Sequence, residues 1–251
     1  DFRAIGAMIA KVERGLRGFI HPALGGRGLL WDIRELPKLA EKTGYLGPWR
    51  DWADGFLARL GSEILPRLER LAAQVIHGDV HGHNLILGPD RQISGIIDFG
   101  DMFHGPAILN LTNAMADFLH DTGDTLAMWA ALVGGYAGVR RLEAEEVELL
   151  YDLTLARCLA TMLITAARAR EAADQSDYIA AAGFGTPEEL EALLALDRQK
   201  ATAILAGAAG LSAPVTGQTV AQMMARRARV LGSRPYVFYD PPLHLVRGEG
   251  V

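Results

Sequence analysis

The chain has 251 residues, of which half are hydrophobic and 22% are charged, a composition typical of a folded globular protein. The net charge of −5 and the single cysteine, Cys158, exclude a strongly basic nucleic-acid-binding surface and an intramolecular disulfide. No run reaches the roughly 18 apolar residues of a membrane span, so these totals predict a soluble, cytoplasmic protein without nucleic-acid or membrane partners.

The first quarter of the chain predicts helices joined by a loop. Residues 1–18 carry apolar side chains at three- and four-residue intervals, which is typical of an amphipathic helix. A loop containing Gly and Pro follows at 18–28, and residues 31–40 predict a short helical or irregular piece. Residues 49–73 predict a helix that breaks near Gly61 and is capped again directly afterwards.

The middle of the chain predicts a β-hairpin, and helices follow it. Residues 85–87 and 93–97 are short apolar runs around a turn that contains Gly88, Pro89 and Asp90. The apolar patterns beyond this point predict four helices, at 106–120, 124–138, 143–172 and 186–208, the last starting with a capping box of Thr186 and Glu189. The predicted fold class is therefore α+β and mainly helical.

Three residues in and beside the hairpin suggest phosphoryl-transfer chemistry. Asp79 follows an apolar, strand-like pair, Asn84 comes five residues later, and Asp98 ends the hairpin. Phosphoryl transfer needs a carboxylate that orients and deprotonates the attacking hydroxyl, and oxygen ligands for Mg²⁺. Because the loop turns back and the two strands return the chain, we expect Asp79 to act as the base beside the metal ligands Asn84 and Asp98.

These residues belong to two motifs with a family resemblance. The segment His77–Asn84 (HGDVHGHN), followed by Ile97–Asp101 (IDFGD), resembles the catalytic and metal-binding loops of the aminoglycoside phosphotransferase and choline kinase family, which has a protein-kinase-like fold. Trp31–Ile33 and the helical residues after Pro106 are similar to its hydroxylysine kinase-like branch. The resemblance covers roughly residues 1–208. It implies an ATP- and Mg²⁺-dependent kinase that phosphorylates an alcohol group on a small, amine-bearing acceptor.

The resemblance also implies a role for each residue of the motifs. Asp79 corresponds to the catalytic base, Asn84 and Asp98 correspond to the Mg²⁺ ligands, and His77 corresponds to a residue that braces the loop. Five more residues are candidates for contact with the substrate or for support of these groups: His81, His83, Asp101, Trp31 and Asp32.

Alternative interpretations stay open for several of these residues. The cluster of His77, Asp79, His81 and His83 has the residue types of a zinc site, although zinc also needs convergent geometry and a distant ligand. Asp101 suits a loop-bracing role equally well, and Trp31 and Asp32 suit a buried tryptophan and a helix cap. Asn110, Asn113 and Asp117 either reach the acceptor pocket or form a polar helix face, and Arg226, Arg227 and Arg229 suit a solvated turn.

A kinase of this type also has an N-terminal β-lobe with a phosphate-covering loop and a lysine–glutamate pair. No such block precedes the first predicted helix. The chain starts at Asp1 rather than at methionine and stops at Val251 without a closing element, so we expect both ends to be cut. The predicted molecule is a C-terminal lobe whose N-terminal β-lobe is missing and which is inactive alone.

The tail carries a second resemblance. Residues 226–232 and 238–250 resemble the entry segment of class III pyridoxal-phosphate aminotransferases. The predicted domains are a phosphotransferase lobe at 1–208, a linker at 209–234, and the beginning of an aminotransferase at 235–251. We therefore expect a kinase–aminotransferase fusion, with the aminotransferase in cis and pyridoxal phosphate bound only in the missing downstream domain. The alternative is a non-catalytic kinase-like domain within such an aminotransferase.

Overall fold

The computed structural model describes residues 1–90, 92–121, 123–171, 186–211, 236–240 and 244–248. The chain divides into two compact units, residues 1–211 and 212–251. The described part of the first unit is mainly helical and contains two small antiparallel sheets. In the second unit, strands β5 (Tyr236–Asp240) and β6 (His244–Gly248) pair antiparallel. The prediction of a mainly helical α+β chain is confirmed, and the absent N-terminal lobe stays a prediction.

The described helices follow the predicted ones with two main differences. They are α1 (Phe2–Leu16), α2 (Arg50–Arg59), α3 (Leu65–Leu68), α4 (Ile108–Asp117), α5 (Thr125–Ala137), α6 (Ala144–Glu171), α7 (Pro187–Leu194) and α8 (Arg198–Ala208). The predicted helix at 186–208 is thus two helices. Regular α-helical geometry ends at Arg59, close to the predicted break at Gly61, but the predicted new cap is wrong: a π-helical turn, Leu60–Ile64, connects α2 to α3, and the Ser62 hydroxyl donates to the carbonyl of Ala58.

Residues 33–49 form a 3₁₀ helix with a kink at Gly47, longer than the short piece that the sequence predicts. Asp32 caps its N-terminus by accepting a hydrogen bond from the Arg34 backbone amide at 3.0 Å. Two prolines, Pro37 and Pro48, lie inside this segment. Each proline lacks the amide hydrogen that an α-helix needs and its ring clashes with the preceding turn, so these two residues oppose a regular α-helix here.

Two antiparallel strand pairs hold the segment between α3 and α4. Strand β1 (Ala73–Ile76) pairs with β4 (Phe103–Pro106), and β2 (Leu85–Leu87) pairs with β3 (Ile93–Ile96). The second pair confirms the predicted hairpin, and its register shifts between Ile86 and Leu87. The first pair was not predicted. Together they fix the two ends of the loop at residues 77–84.

Helix α1 packs closely against α5. A Cβ on Gly6 would lie 1.9 Å from the Leu132 carbonyl oxygen, and a Cβ on Gly135 would lie 1.9 Å from that of Arg3. These distances show that the two backbones nearly touch, which only glycine permits. Helix α6 forms the centre of the core. By length and composition it could cross a membrane, but 89% of its most apolar window is buried inside the protein, as in a core helix.

The predicted linker at 209–234 lies outside the described residues beyond Leu211, and so do Arg226, Arg227 and Arg229. The division into domains therefore stays a prediction.

Candidate active site

The candidate site is built on two loops that the strand pairs bring together. The catalytic loop, His77–Asn84, connects β1 to β2 and ends in a 3₁₀ turn. The metal loop, Ile97–Asp101, follows β3 and leads into β4. A hydrogen bond of 2.9 Å from the Ile97 amide to the Asn84 carbonyl joins the two loops. The motif residues that the sequence singles out therefore lie in two adjacent loops.

Three side chains of α4 hold the catalytic loop from below. Asn110 accepts a hydrogen bond from the Gly78 amide at 2.9 Å, and Asn113 donates to the Gly78 carbonyl at 2.7 Å. Asp117 accepts from the Gly82 amide at 2.7 Å. All three side chains are buried. The sequence left two alternatives for these residues, contact with the substrate pocket or a polar helix face. In the structure they instead support the backbone of the catalytic loop.

Gly78 is required where the two loops cross. Its backbone is left-handed, with φ of +83°, and a Cβ there would lie 2.3 Å from the carbonyl oxygen of Asp101. The same Cβ would lie 3.0 Å from the Phe103 ring. A side chain at this position would push the metal loop away from the catalytic loop.

The side chains of Asp79 and Asn84 meet, as the spacing predicts. Asn84 Nδ2 donates to the backbone carbonyl of Asp79 at 2.9 Å and to its carboxylate at 3.2 Å. His81 Nε2 lies 3.2 Å from the same carboxylate oxygen and 3.0 Å from Asn84 Nδ2. Burial works to raise the pKa of Asp79, but the hydrogen bond and charge of His81 together with the charge of Arg157 outweigh it, so this pKa is lowered. Asp79 is therefore ionised and able to accept a proton.

The pKa of His81 is shifted in the opposite direction to that of Asp79. Its hydrogen bond to Asp79 raises the pKa of the imidazole above its ordinary value, although burial opposes the change. The His83 ring lies edge-on to His81 with ring centroids 5.6 Å apart, and its side chain is exposed. His83 makes no described hydrogen bond with Asp79 or Asn84. Of the two histidines, only His81 is thus part of the Asp79–Asn84 group.

His77 is fully buried and links the two loops. Its Nδ1 accepts the Asp79 amide hydrogen at 3.3 Å, so the Nε2 atom carries the proton that is donated to the Ile97 carbonyl at 2.9 Å. Burial lowers the pKa of the imidazole, which keeps it neutral in this arrangement. The ring also packs against Phe99 with centroids 4.7 Å apart. These are the contacts that a loop-bracing residue needs.

Asp98 has an unusual backbone. Among the described residues it is the one non-glycine residue with positive φ, at φ 64° and ψ 70°. Such a conformation costs of the order of 1 kcal/mol and occurs often at functional sites. Its Oδ1 accepts a weak hydrogen bond of 3.3 Å from the Gly100 amide. No described partner engages the Oδ2 atom, so one carboxylate oxygen remains available to a ligand.

These donor atoms fit a magnesium ion better than a zinc ion. The Asn84 amide nitrogen is held by Asp79, which directs its Oδ1 away from that carboxylate, and Asp98 adds a carboxylate oxygen. Mg²⁺ is commonly bound by one or two such oxygen ligands, while phosphates and water complete its shell. Within the described ranges, no group of three His, Cys, Asp or Glu side chains converges as a metal site would require.

The remaining predicted residues lie around the two loops. Trp31 is half-buried beneath the guanidinium groups of Arg157 and Arg168, whose central carbons lie 4.8 and 5.4 Å from the ring centre. Asp32 is buried and, besides capping the 3₁₀ helix, forms an ion pair with Arg34 at 2.6 Å. Asp101 contributes its backbone carbonyl to the close contact at Gly78.

Two arginines of the site were not predicted. Arg27, in the first loop, donates to the carbonyls of Gly100 at 2.8 Å and Met102 at 2.6 Å, and so holds the metal loop. Arg157 on α6 is buried, and its charge attracts Asp79, Asp117 and Asp101. The glycines around Arg27 indicated a loop, but no sequence pattern indicated where that loop lies.

Residues 2–144, more than half of the chain, match the model of the phosphotransferase enzyme family, APH. The chain belongs to this phosphotransferase family. It is 22% identical over 188 residues to hydroxylysine kinase of Mus musculus, and this match covers 70% of the chain and 50% of the mouse protein. It is 37% identical over 78 residues to homoserine kinase of Neisseria meningitidis serogroup B, and this match covers 30% of the chain and 25% of the bacterial protein.

Among solved structures, the chain resembles the amicoumacin kinase hAmiN in complex with AMP-PNP, Ca²⁺ and Ami. The TM-score is 0.49 with 15% identity, and the match covers 79% of this chain and 61% of that chain. This phosphotransferase chain spans about half the length of the hydroxylysine kinases that it matches.

Proposed function

We propose that the full-length protein transfers the γ-phosphoryl group of ATP to a hydroxyl group on a small, amine-bearing acceptor, with Mg²⁺ as the cofactor. One observation carries this proposal: the catalytic loop holds an ionised Asp79 in contact with Asn84, at a fixed position beside the metal loop. Membership of the phosphotransferase family supports the same reaction.

The residues divide the chemistry between them. Asp79 orients the acceptor hydroxyl and takes up its proton as the phosphoryl group arrives. Asn84 Oδ1 and the free Asp98 oxygen would hold Mg²⁺, which would neutralise charge on the phosphates. When its imidazole is protonated, His81 donates a hydrogen bond to the Asp79 carboxylate and thereby fixes the orientation of this base.

An amine-bearing acceptor fits the charge of the site. Asp79 lies in the catalytic loop and Asp101 in the adjacent metal loop, and these two carboxylates favour a cationic group near the attacking hydroxyl. Mg²⁺ offsets part of this negative charge. The names of two relatives, hydroxylysine kinase and homoserine kinase, describe acceptors that carry both a hydroxyl and an amine. We therefore propose amino alcohols and hydroxy amino acids as the acceptor class.

The test compares two carboxylates of the same neighbourhood. Asp79→Asn in the full-length protein removes the base while it keeps the size of the side chain, and we expect kcat to fall by about 10²- to 10⁴-fold. Asp90→Asn is the matched control, because Asp90 is exposed in the hairpin turn, and its kcat should equal that of the wild type. Release of ADP is measured against a panel of hydroxylysine, homoserine and amino alcohols. A near wild-type rate for Asp79→Asn would refute the assignment.

A second candidate function is a non-catalytic, kinase-like domain within an aminotransferase. The resemblance of residues 226–250 to the start of a class III aminotransferase supports a fusion, whereas the complete set of Asp79, Asn84 and Asp98 favours catalysis. Calorimetric titration of the full-length protein with ATP distinguishes the two. Tighter binding with Mg²⁺ than without it is expected for the kinase, and no nucleotide binding is expected for the scaffold. Sequencing the flanking parts of the gene tests the fusion and the upstream lobe.

A further inference from the structure

A buried carboxyl group lies behind the catalytic loop and takes no part in the chemistry described above. Glu13, on α1, is 1% exposed. Its Oε1 accepts a hydrogen bond from Asn110 Nδ2 at 3.1 Å, and its Oε2 accepts one from the Tyr136 hydroxyl. Its backbone carbonyl accepts from the Gln74 side chain at 2.8 Å. Both carboxyl oxygens therefore have partners, although the group is removed from solvent.

One residue separates Glu13 from the catalytic loop. The Asn110 side chain uses its nitrogen to bond Glu13 and its oxygen to bond the Gly78 amide at 2.9 Å. An asparagine amide can rotate by half a turn, which exchanges its oxygen and nitrogen. The exchanged orientation would direct an NH₂ group at the Gly78 N–H, and two donors cannot bond to each other. An acceptor at position 13 excludes that orientation.

The other end of the network reaches two further helices. The Tyr136 hydroxyl accepts a hydrogen bond from Arg140 at 3.1 Å, and Arg140 forms an ion pair of 2.7 Å with Glu146. Glu146 in turn accepts from the Glu143 amide at 2.9 Å. The loop support thus joins α1, α4, α5 and the start of α6 through hydrogen bonds, so that the Glu13 carboxyl has little freedom to move.

The packing of α1 by itself does not need a carboxyl group here. Burial opposes ionisation and raises the pKa of Glu13 to about 7, against the contributions of Tyr136, Arg140 and Asn110. Apolar side chains of similar size often stabilise such interior positions as well as buried charged groups do, or better. What an apolar residue lacks is the acceptor for Asn110.

We propose that Glu13 is a positioning residue of the phosphotransfer site, which fixes the Asn110 amide and through it the Gly78 backbone and the neighbouring Asp79. The inference rests on the proposed function, because it concerns the placement of the base. A displacement of the order of 1 Å at a reacting group can lower a rate by about 100-fold.

The test uses a pair of substitutions that match in shape and lack charge. Glu13→Gln keeps an oxygen that accepts from Asn110, whereas Glu13→Met fills the same space without an acceptor. In the full-length protein we expect kcat to stay within about threefold of wild type for Glu13→Gln and to fall by about 10- to 100-fold for Glu13→Met, with little change in the KM for ATP. Asn110→Ala provides the same test if Glu13→Met does not fold, and the double variant should be no slower than the slower of the two single variants.

Asp152→Leu is the control for general destabilisation. Asp152 is another buried carboxylate, which pairs with Arg59 at 2.9 Å and Arg198 at 2.6 Å and has no described hydrogen bond to either loop. This variant should lose stability and keep its kcat. Equal kcat values for Glu13→Met and Glu13→Gln, or an equal loss in Asp152→Leu, would overturn the inference.

Hydrogen exchange separates this inference from the proposed function. If the wild-type protein phosphorylates no acceptor, the proposed function fails, but the amide exchange of residues 77–84 still tests the role of Glu13. Faster exchange of this segment in Glu13→Met than in Glu13→Gln and Asp152→Leu supports the inference. Equal exchange in all three variants contradicts it.

Discussion

A methyl group at position 78 tests the closest approach in the candidate site. Gly78→Ala would place its Cβ 2.3 Å from the Asp101 carbonyl oxygen and 3.0 Å from the Phe103 ring, at a backbone φ of +83°. The Asp101 carbonyl belongs to the backbone of the metal loop, so it cannot rotate away like the end of a flexible side chain. The substitution must therefore separate the two loops or distort one of them.

Gly18 is a control that separates the cost of a left-handed backbone from the cost of steric overlap. Gly18 has nearly the same φ, +82°, and nothing lies within 4 Å of the position that a methyl group would take there. A left-handed backbone costs an alanine about 1–2 kcal/mol, and overpacking against fixed neighbours adds about 1–3 kcal/mol. We expect Gly18→Ala to lose about 1–2 kcal/mol and Gly78→Ala about 2–5 kcal/mol of unfolding free energy.

Urea unfolding of both variants measures the difference directly. In a separate thermal unfolding experiment, the melting temperature should fall by about 2–4 °C for each kcal/mol of lost unfolding free energy in a chain of this size. Phosphotransfer should be normal in Gly18→Ala and strongly reduced in Gly78→Ala, since only the second variant moves Asp79 relative to the metal loop. Equal stability losses and equal rates in the two variants would refute the close-approach argument.

Two further predictions concern buried ionisable groups. Burial raises the pKa of the Cys158 thiol to about 12, so iodoacetamide should label the native protein far more slowly than the urea-unfolded chain, as followed by mass spectrometry; fast native labelling would contradict this burial. For Glu13, burial raises the pKa from 4.5 to about 7. The folded state therefore binds this proton more tightly, and the associated stability is complete below about pH 4.5 and lost as the pH rises through about 7. Between about pH 5 and about pH 8, the unfolding free energy should decrease by up to about 3 kcal/mol more in the wild type than in Glu13→Gln; parallel pH curves would count against it.

The features that the sequence predicted well depend on residues that are close along the chain. The amphipathic helix near the N-terminus is present as α1, and the hairpin around Gly88 is present as β2 and β3. The capping box is present as well, because Thr186 accepts from the Glu189 amide at 3.2 Å and Glu189 accepts from the Thr186 amide at 2.9 Å. Periodicity, turn residues and caps are local signals, and each of these elements needs only such signals.

The features that were missed depend on distant partners. Strands β1 and β4 have four residues each and lie about 30 residues apart, with the Ile76–Phe103 pair at one end, and the β4 sequence ends in Gly105 and Pro106, which locally indicate a turn. The short length gives no periodicity to recognise, so only the pairing itself defines these strands. Arg27 likewise reaches the metal loop from more than 70 residues away.

The polar residues of α4 show why the sequence can predict the motif residues of a site but not the side chains that hold its loop in place. Asn110, Asn113 and Asp117 have the spacing of a helix face, and the sequence cannot tell whether that face meets water or backbone. The catalytic loop decides the matter, because its left-handed turn at Gly78 leaves an amide and a carbonyl without partners in a strand ladder. Buried backbone groups must be paired, so α4 presents one acceptor and one donor to Gly78, and Glu13 fixes which of the two Asn110 offers. The position of Asp79 is thus determined from two helices behind it, while the motif that contains it specifies only the chemistry.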